Sequence, residues 1–277
     1  MSMSPTFDDE EIAWAAGFFD GDGCFAFSPS GGWAGAFVAG TDLENVLRFR
    51  SAMRCGKVRG IGIHPRPGSW SKKPQHIFRS YADVDHVAHS LLPSLGYVKR
   101  EQARRALEFL GRWSYENVPE PALRASQSRT ELAWAAGFFD AEGCFSFTPG
   151  SGICASITNT DVDLLERFLR AVDFGKIYGP YDLKVTDGFK RKPHYFFRVS
   201  GLEKVQALAA ILWFKIGSAK KNQARATLAH VITTCNQGHP KKPGHAGCGQ
   251  CTADYWQARR EARGGSTAEA APVYLAA

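Results

Sequence analysis

The sequence lacks any apolar run of the roughly 18 residues that a membrane-spanning helix requires. Its first charged residues, Asp8 to Glu11, are acidic, which is not the charge pattern of a secretory signal peptide. Cysteine is scarce, with seven in 277 residues, and four of the seven are scattered, as is typical of reduced thiols inside cells. These absences predict an intracellular protein, cytoplasmic or associated with the nucleoid, that is neither secreted nor bound to a membrane.

Acidic residues are outnumbered by basic ones. Lys and Arg together number 34 and Asp and Glu 27, which gives a net charge of +7. Positive charge favours a polyanionic partner, most often nucleic acid, although many basic proteins bind none. A hydrophobic fraction of 44% excludes wholesale disorder, and the length suits one large domain or two of ordinary size.

One apolar-then-acidic phrase occurs twice. WAAGFFDGDGCF begins at Trp14, and WAAGFFDAEGCF begins 120 positions later at Trp134. Later segments also match: TDLENVLRF with TDVDLLERF, KPQHIFR with KPHYFFR, and LGYVKREQARRAL with IGSAKKNQARATL. A repeat of this length indicates one structural unit used twice. We predict repeats at 8–113 and 129–234, joined by a linker at 114–128 that is rich in Pro, Ser and polar residues.

Each repeat is predicted to run helix, two strands, helix, two strands, helix. Small residues on one face of the first helix recur in the second copy, and they are Ala13, Ala16 and Gly17, then Ala133, Ala136 and Gly137. Small side chains there permit a close crossing of the two helices. After the helix, Phe25 and Phe27 alternate with smaller residues, which predicts a strand with one aromatic face on the core. Small polar side chains on its other face are left for a partner.

Two acidic residues in each copy stand near the end of the first helix, where the helix dipole disfavours negative charge. Asp20 and Asp140 are predicted to hydrogen-bond nearby backbone groups and to shape the turn. Asp22 and Glu142 differ, because packing the two helices side by side would bring both carboxylates to a pseudo-twofold axis. Two carboxylates that close repel each other unless a cation lies between them, and Mg²⁺ prefers oxygen ligands.

The stretches 15–23 and 135–143 resemble the two signature motifs of the LAGLIDADG homing endonucleases, in the single-chain form with tandem repeats. The resemblance covers about residues 8–234. It implies an α+β fold in which two αββαββα units form a pseudo-twofold saddle of antiparallel sheets over DNA. It also implies a monomeric, Mg²⁺-dependent enzyme that cuts both strands of a long double-stranded DNA target.

The resemblance implies roles for particular residues. The eighth residue of each motif is the essential acid, and the matching catalytic and Mg²⁺-holding positions here are Asp22, Glu142, Gly21 and Ala141. A lysine before the last helix serves the basic solvent pocket, and Lys99 and Lys220 match it, with ordinary surface lysines as the alternative. Where family members often carry a Gln after the second strand, this sequence has Gly40 and Asn159, so that accessory role is in doubt.

The second hairpin of each repeat is rich in basic residues, and 56–80 contains no acidic residue at all. A charge run is often only a solvated face, but both copies place it where the implied sheets would meet DNA. The predicted DNA-contacting residues are Ser28, Arg59, Arg66, Lys72, Lys73, Gln75, Arg79, Thr148, Asn159, Lys184, Lys190, Arg191, Lys192 and Arg198. Arginines on strand stems are expected to read base edges, and residues near hairpin tips to hold phosphates. Because the two sets of hairpins differ in sequence, we expect an asymmetric target.

Cysteines cluster near the C-terminus in the segment CNQGHPKKPGHAGCGQC, which gives the pattern C-x3-H-x8-C-x2-C. Three Cys and one His with a closing C-x2-C match a tetrahedral structural Zn²⁺ site. The predicted ligands are Cys235, His239, Cys248 and Cys251 in a module at 235–252, which could extend the DNA footprint, and His245 is a competing ligand. Free thiols in a flexible tail are the alternative. The last segment, 253–277, is predicted to be helical or weakly ordered.

We interpret the chain as a site-specific DNA endonuclease with an added zinc module. Two alternatives on the same scaffold stay open: a maturase acting on host intron RNA, and a DNA-binding regulator that does not cut. Such regulators commonly lose the motif acids, and this sequence keeps both. An intein is disfavoured, since the repeats begin close to Met1 and leave no room for splicing blocks.

Overall fold

The computed structural model describes residues 7–62, 74–113, 128–148, 152–182, 192–230, 237, 239–240 and 247–262. The first repeat consists of α1 (Phe7–Asp22), β1 (Gly23–Ser28), β2 (Trp33–Gly40), α2 (Leu43–Met53), β3 (Lys57–Gly62), β4 (Gln75–Ser80), α3 (Val84–Leu91) and α4 (Tyr97–Phe109). The second consists of α5 (Arg129–Glu142), β5 (Gly143–Thr148), β6 (Gly152–Asn159), α6 (Val162–Val172), β7 (Lys176–Tyr181), β8 (His194–Ser200), α7 (Leu202–Leu212) and α8 (Ser218–Leu228). Helix α9 (Gly249–Ala262) follows. No helix of these described ranges is both long and apolar enough to cross a membrane.

Each repeat contains one four-stranded antiparallel sheet, and the two sheets have the same topology. The strand orders are β1-β2-β4-β3 and β5-β6-β8-β7. The predicted α+β architecture of two like units is therefore confirmed. One detail differs, because two helices rather than one end each repeat. Pro93 has no N–H to continue α3, and Gly96 and Gly217 are the N-caps from which α4 and α8 begin.

The motif helices α1 and α5 cross in close contact at Gly17 and Gly137. A Cβ added to Gly17 would fall under 3.0 Å from the carbonyl oxygen of Trp134 and 2.8 Å from the next turn's backbone N–H. A Cβ on Gly137 would meet the carbonyl of Trp14 in the same way. Real Cβ atoms essentially never approach other atoms under 3.0 Å, so only glycine allows this crossing. The predicted close packing of the two helices is confirmed.

Asp20 and Asp140 tie the two repeats together. The indole N–H of Trp134 donates to Asp20 at 2.9 Å, and the indole of Trp14 donates to Asp140 at 3.0 Å. Each carboxylate also accepts the N-cap N–H of a later helix, at 3.0 Å from α4 and at 2.8 to 2.9 Å from α8. The expectation of a local turn is therefore wrong, because these hydrogen-bond partners lie at least 76 positions away in the sequence. Periodicity in a sequence does not reveal such distant partners.

An arginine from each repeat caps the buried tryptophan of its own motif helix. The Arg48 guanidinium lies 3.9 Å from the Trp14 ring centroid and donates to Glu11 at 2.8 Å. Arg167 repeats the arrangement 3.9 Å from the Trp134 ring, with a buried glutamate of α5. Both arginines also donate to a backbone carbonyl of the opposite repeat. The paired contacts give the interface between repeats its pseudo-twofold symmetry.

The inner face of each sheet packs its aromatic side chains against the helices. Phe25 and Phe145 are buried, as the alternating pattern predicts. Phe27, predicted to lie on the same core face, is 39% exposed and stacks on Phe109 of α4 at 5.2 Å. The ring therefore covers the edge of the core and is not enclosed by it.

Candidate functional site

The C-terminal ends of α1 and α5 touch and bring together the four residues predicted to hold a metal. A Cβ on Gly21 would lie under 3.0 Å from the Ala141 methyl and 3.0 Å from Cγ of Glu142. Asp22 and Glu142 are the last residues of their helices and both are half-buried. The last carbonyls of a helix have no intrahelical partner, so the backbone oxygens here are open to a cation.

Electrostatics at these helix ends disfavour uncompensated negative charge. Burial raises the pKa of Asp22 to about 6, against the opposing effect of Lys220 and Lys99. Burial, followed by the negative charge of Asp22, raises the pKa of Glu142 to about 7. The two helix dipoles add negative potential at the same place. A bound cation would relieve all of these effects, which makes the site a good cation receptor.

A lysine from each repeat stands beside the acids. Lys99 donates through Nζ to the carbonyl of Gly23 at 2.6 Å, and Lys220 donates to the equivalent carbonyl of Gly143. Burial lowers the pKa of Lys220. Both side chains are half-buried and point at the first residue after a motif acid. Neither lysine is therefore fully exposed, and each holds the backbone at the end of a motif helix.

Asp20 and Asp140, which connect the two repeats, also fix the helices that carry these lysines. The prediction that Lys99 and Lys220 precede the last helix is wrong, because each is the third residue of its helix, α4 or α8. The N-cap N–H groups of those helices are held by Asp20 and Asp140. Burial raises the pKa of Asp20 to about 7 and that of Asp140 to about 6, with the hydrogen bonds acting in the opposite direction.

Sequence reasoning missed Gln102 and Gln223. The Oε1 atom of Gln102 accepts the backbone N–H of Phe25 at 3.3 Å, and that of Gln223 accepts the N–H of Phe145 at 3.0 Å. Each glutamine thereby fixes the strand that leaves the acidic end of a motif helix. Their signal was present in the matching segments EQARRAL and NQARATL, where both occupy the same place.

Asn159 makes the two halves of the site unequal. Its Nδ2 donates weakly to Oε1 of Glu142 at 3.5 Å, and its Oδ1 accepts the N–H of Asp161 at 2.9 Å. Gly40, the matching position in the first repeat, has no side chain that can do this. Asn159 and Glu142 line a cleft of 440 Å³, together with Lys99 and the predicted DNA-contacting Lys192.

Comparisons with solved structures identify the architecture. No protein-family model and no curated protein matches the sequence. The meganuclease I-SmaMI bound to uncleavable DNA aligns with a TM-score of 0.50 and 15% identity, over 90% of this chain and 97% of that chain. A point mutant of I-SmaMI also aligns at 0.50, with 16% identity over 77% and 88% of the two chains. The LAGLIDADG meganuclease I-AabMI bound to uncleaved DNA aligns at 0.47, with 15% identity over 79% and 89%.

The chain has the two-repeat LAGLIDADG fold. At this level of identity the likeness establishes the fold, and the activity has to be argued from the site. In the LAGLIDADG fold of this chain, each repeat contributes one acid and one lysine to the junction of α1 and α5, and one glutamine that fixes the strand leaving that junction.

On the outer face of the LAGLIDADG sheets, Arg79 and Arg198 occupy equivalent positions. Arg79 on β4 is opposite Lys57 of β3, and Arg198 on β8 is opposite Lys176 of β7. The Nε atom of each arginine is buried and has no hydrogen-bond partner within the described ranges.

The other predicted DNA-contacting residues are only partly within the described ranges. Arg59 is exposed on β3, Lys192 is exposed just before β8, and Gln75 opens β4. Ser28 and Thr148 end β1 and β5, and the Ser28 hydroxyl accepts the N–H of its own hairpin turn at 3.1 Å. Six of the predicted residues lie outside the described ranges: Arg66, Lys72, Lys73, Lys184, Lys190 and Arg191.

Aromatic clusters lie beside these arginines, on β2 of the first sheet and on β7 and β8 of the second. In the first repeat Trp33 packs edge-on against Phe37 at 6.0 Å. In the second repeat Tyr178 and Tyr181 both stack on Phe196, at 5.4 and 5.2 Å. The outer surface therefore combines cationic and aromatic groups.

The predicted zinc ligands are partly described. His239, Cys248 and Cys251 lie together, with their ligand atoms within 4.8 Å of one another. Cys235 and the competing His245 lie outside the described residues. The structure therefore brings together three of the four predicted side chains.

Proposed function

We propose that the protein is a Mg²⁺-dependent, site-specific endonuclease that hydrolyses a phosphodiester bond in each strand of a long, asymmetric DNA duplex. One observation carries the proposal: Asp22 and Glu142 end two touching helices, each with a lysine beside it. A DNA duplex has its own local twofold symmetry, so a pseudo-twofold centre presents one half to each strand. Partners other than duplex DNA are not required, and a single chain supplies both halves.

Mg²⁺ fits the donors that are present. The candidate ligands are hard oxygen atoms, from the carboxylates of Asp22 and Glu142 and the backbone carbonyls of Gly21 and Ala141. When bound, the ion supplies an activated water and neutralises charge on the leaving oxygen. The raised pKa values of both acids support a cation here, since a nearby positive charge favours their ionised forms. Zn²⁺, predicted at the C-terminal cysteines, has no part in this reaction.

The lysines complete the chemistry of the chain itself. The Nζ groups of Lys99 and Lys220 carry hydrogen atoms that can be donated to a phosphate oxygen or to the attacking water. Their present partners are backbone carbonyls at the start of β1 and β5, so both groups are already oriented toward the acids. The lowered pKa of Lys220 makes release of a proton from its Nζ easier. We assign both lysines to charge stabilisation and proton transfer.

Recognition is assigned to the outer faces of the sheets. Arg79 and Arg198 are half-buried arginines of the outer face, each opposite a lysine, and guanidinium groups there are suited to guanine edges or phosphate oxygens. Aromatic neighbours such as Trp33 and Phe196 would pack against sugars and bases. A regulator that only binds DNA would need this surface but not the paired acids. The acids therefore favour an enzyme over the regulator.

The test is cleavage of a randomised duplex library in Mg²⁺, followed by amide substitution of the two acids. Asp22→Asn and Glu142→Gln preserve shape but remove an anionic ligand. We expect each to abolish double-strand cleavage of the recovered target while binding in Ca²⁺ is retained. Glu203→Gln, an exposed acid on α7, is the matched control and should cut normally.

One result would contradict the proposal, and a second would invalidate the assay. Full double-strand cleavage by either amide variant would mean that the acids only pack the helices. Equal loss of cleavage in Glu203→Gln would show that the assay reports general damage and not the site.

A further inference from the structure

We propose that His239, Cys248 and Cys251 form a structural Zn²⁺ site that fixes the start of helix α9. The three residues come from two separate stretches, 239–240 and 247–262, and meet at one point. This site is chemically distinct from the acidic centre, because it offers nitrogen and sulfur in place of oxygen. The proposal does not depend on DNA cleavage.

The distances match a tetrahedral zinc site. With Zn–S bonds of about 2.3 Å and Zn–N bonds of about 2.0 Å, a tetrahedron places N and S about 3.5 Å apart and two S atoms about 3.8 Å apart. The Nδ1 atom of His239 lies 3.3 Å from Sγ of Cys251 and 3.8 Å from Sγ of Cys248. All three ligand atoms fall within 4.8 Å of one another. Small adjustments are enough to close the three around one ion.

Cys248 occupies the position before the first residue of α9, where its sulfur serves as a helix cap. Its Sγ accepts the backbone N–H of Cys251 at 3.5 Å, and its carbonyl accepts from Thr252 N at 3.0 Å and Oγ1 at 3.1 Å. Caps are normally Ser, Thr, Asp or Asn, and a neutral thiol is a weak acceptor. A thiolate is a stronger acceptor and is favoured by the positive end of the helix dipole. The capping arrangement therefore suits a metal-bound sulfur.

Cys248 is buried although it lies outside the hydrophobic core formed by the two repeats. Cys248 is only 8% exposed, whereas Tyr255 and Trp256, the largest side chains of α9, are 53% and 51% exposed. A short segment without its own hydrophobic core commonly needs a metal or disulfide to hold its shape.

The ligand types select zinc among common metals. Two thiolates and an imidazole are soft or intermediate donors, which Zn²⁺ accepts and Mg²⁺ and Ca²⁺ do not. A structural site is closed by a fourth protein ligand, and the spacing of the sequence predicts Cys235 for that place. The proposal stands on the three described residues alone.

The experiment is elemental analysis of the full-length protein, purified without chelator from zinc-supplemented medium. We expect about one zinc per chain in the wild type. Cys248→Ser and Cys251→Ser should each lose the zinc, whereas Cys55→Ser, which removes a half-buried thiol elsewhere, should retain it. Circular dichroism of all four proteins checks that the sheets remain folded.

A second measurement covers the case in which the serine variants misfold. The wild type is loaded with Co²⁺, whose thiolate charge-transfer and tetrahedral ligand-field bands report sulfur coordination directly. Zinc removal by a chelator should then expose Cys248 and Cys251 to alkylation and reduce the helical signal by about one short helix. Any one of three results would contradict the proposed zinc site. They are a wild type without zinc, zinc retained in both serine variants, and Co²⁺ spectra without thiolate bands.

Discussion

Substituting Gly17 by alanine tests the helix crossing on which the whole site depends. In an isolated helix the change would gain about 1 kcal/mol, because alanine is the better helix former. Here the new Cβ would fall under 3.0 Å from the Trp134 carbonyl oxygen, and a backbone atom cannot rotate away. An ordinary carbon–oxygen contact is about 3.3 to 3.6 Å, so the helices would have to move apart.

The cost of that separation outweighs the gain in helix propensity. Overpacking a tight core costs about 1–3 kcal/mol, and a clash with backbone belongs at the upper end or beyond. We therefore expect Gly17→Ala to lower the free energy of unfolding by about 2–3 kcal/mol. Adding Gly137→Ala should cost less than the first change did, because the gap is already open and neighbouring mutations couple.

Urea unfolding of the wild type and both variants, followed by circular dichroism, measures these differences. Gly249→Ala is the matched control, since it is also a helical glycine but has no atom within 4 Å of an added Cβ. It should be neutral or slightly stabilising. Under conditions in which Gly17→Ala remains folded, cleavage should still fall, because separating the helices moves Gly21 and Ala141 apart. Unfolding of Gly17→Ala at the same urea concentration as the wild type, or higher, would refute the crossing geometry.

Two further predictions concern ionisation and recognition. In the native state the pKa of Asp22 is about 6 and that of Glu142 about 7, whereas in the unfolded chain both acids lose their protons near pH 4. Because the native state binds more protons, the metal-free protein should become less stable as the pH rises from 5 to 8. The expected loss in the free energy of unfolding is roughly 2–4 kcal/mol. Mg²⁺ should therefore raise the melting temperature more at pH 8 than at pH 5.5, and equal effects at both pH values would count against the cation site. Changing Arg79 or Arg198 to alanine should weaken binding of the cognate duplex by about 1–3 kcal/mol while unrelated duplexes change little. Arg170→Ala, on the exposed face of α6, is the control. If Arg79→Ala and Arg198→Ala weaken binding of all duplexes equally, the two arginines contact phosphates and not bases.

Sequence patterns were sufficient for the features that depend on local periodicity and on the internal repeat. The small residues around Gly17 predicted the helix crossing, and the duplicated phrase predicted the meeting of Asp22 and Glu142. The partners of Asp20 and the strand-fixing role of Gln102 were missed, because both depend on contacts between segments more than 70 positions apart. Only the three-dimensional arrangement shows that these residues hold the acids and lysines in place.

The two differences between the motif copies have a physical explanation that sequence comparison alone does not give. Gly21 faces Ala141 across the end of the helix pair, and a methyl on Gly21 would fall under 3.0 Å from the methyl that Ala141 already supplies. Room therefore exists for one methyl group at this contact and not for two. The same added methyl would also lie 3.0 Å from Cγ of Glu142, the longer of the two acids. Ala141 and Glu142, the larger residue of each pair, thus both lie in the second repeat. They occupy the space that Gly21 leaves empty in the first repeat. A chain that joins two repeats can hold such complementary differences, whereas a dimer of one repeat would have to place the same residue on both sides.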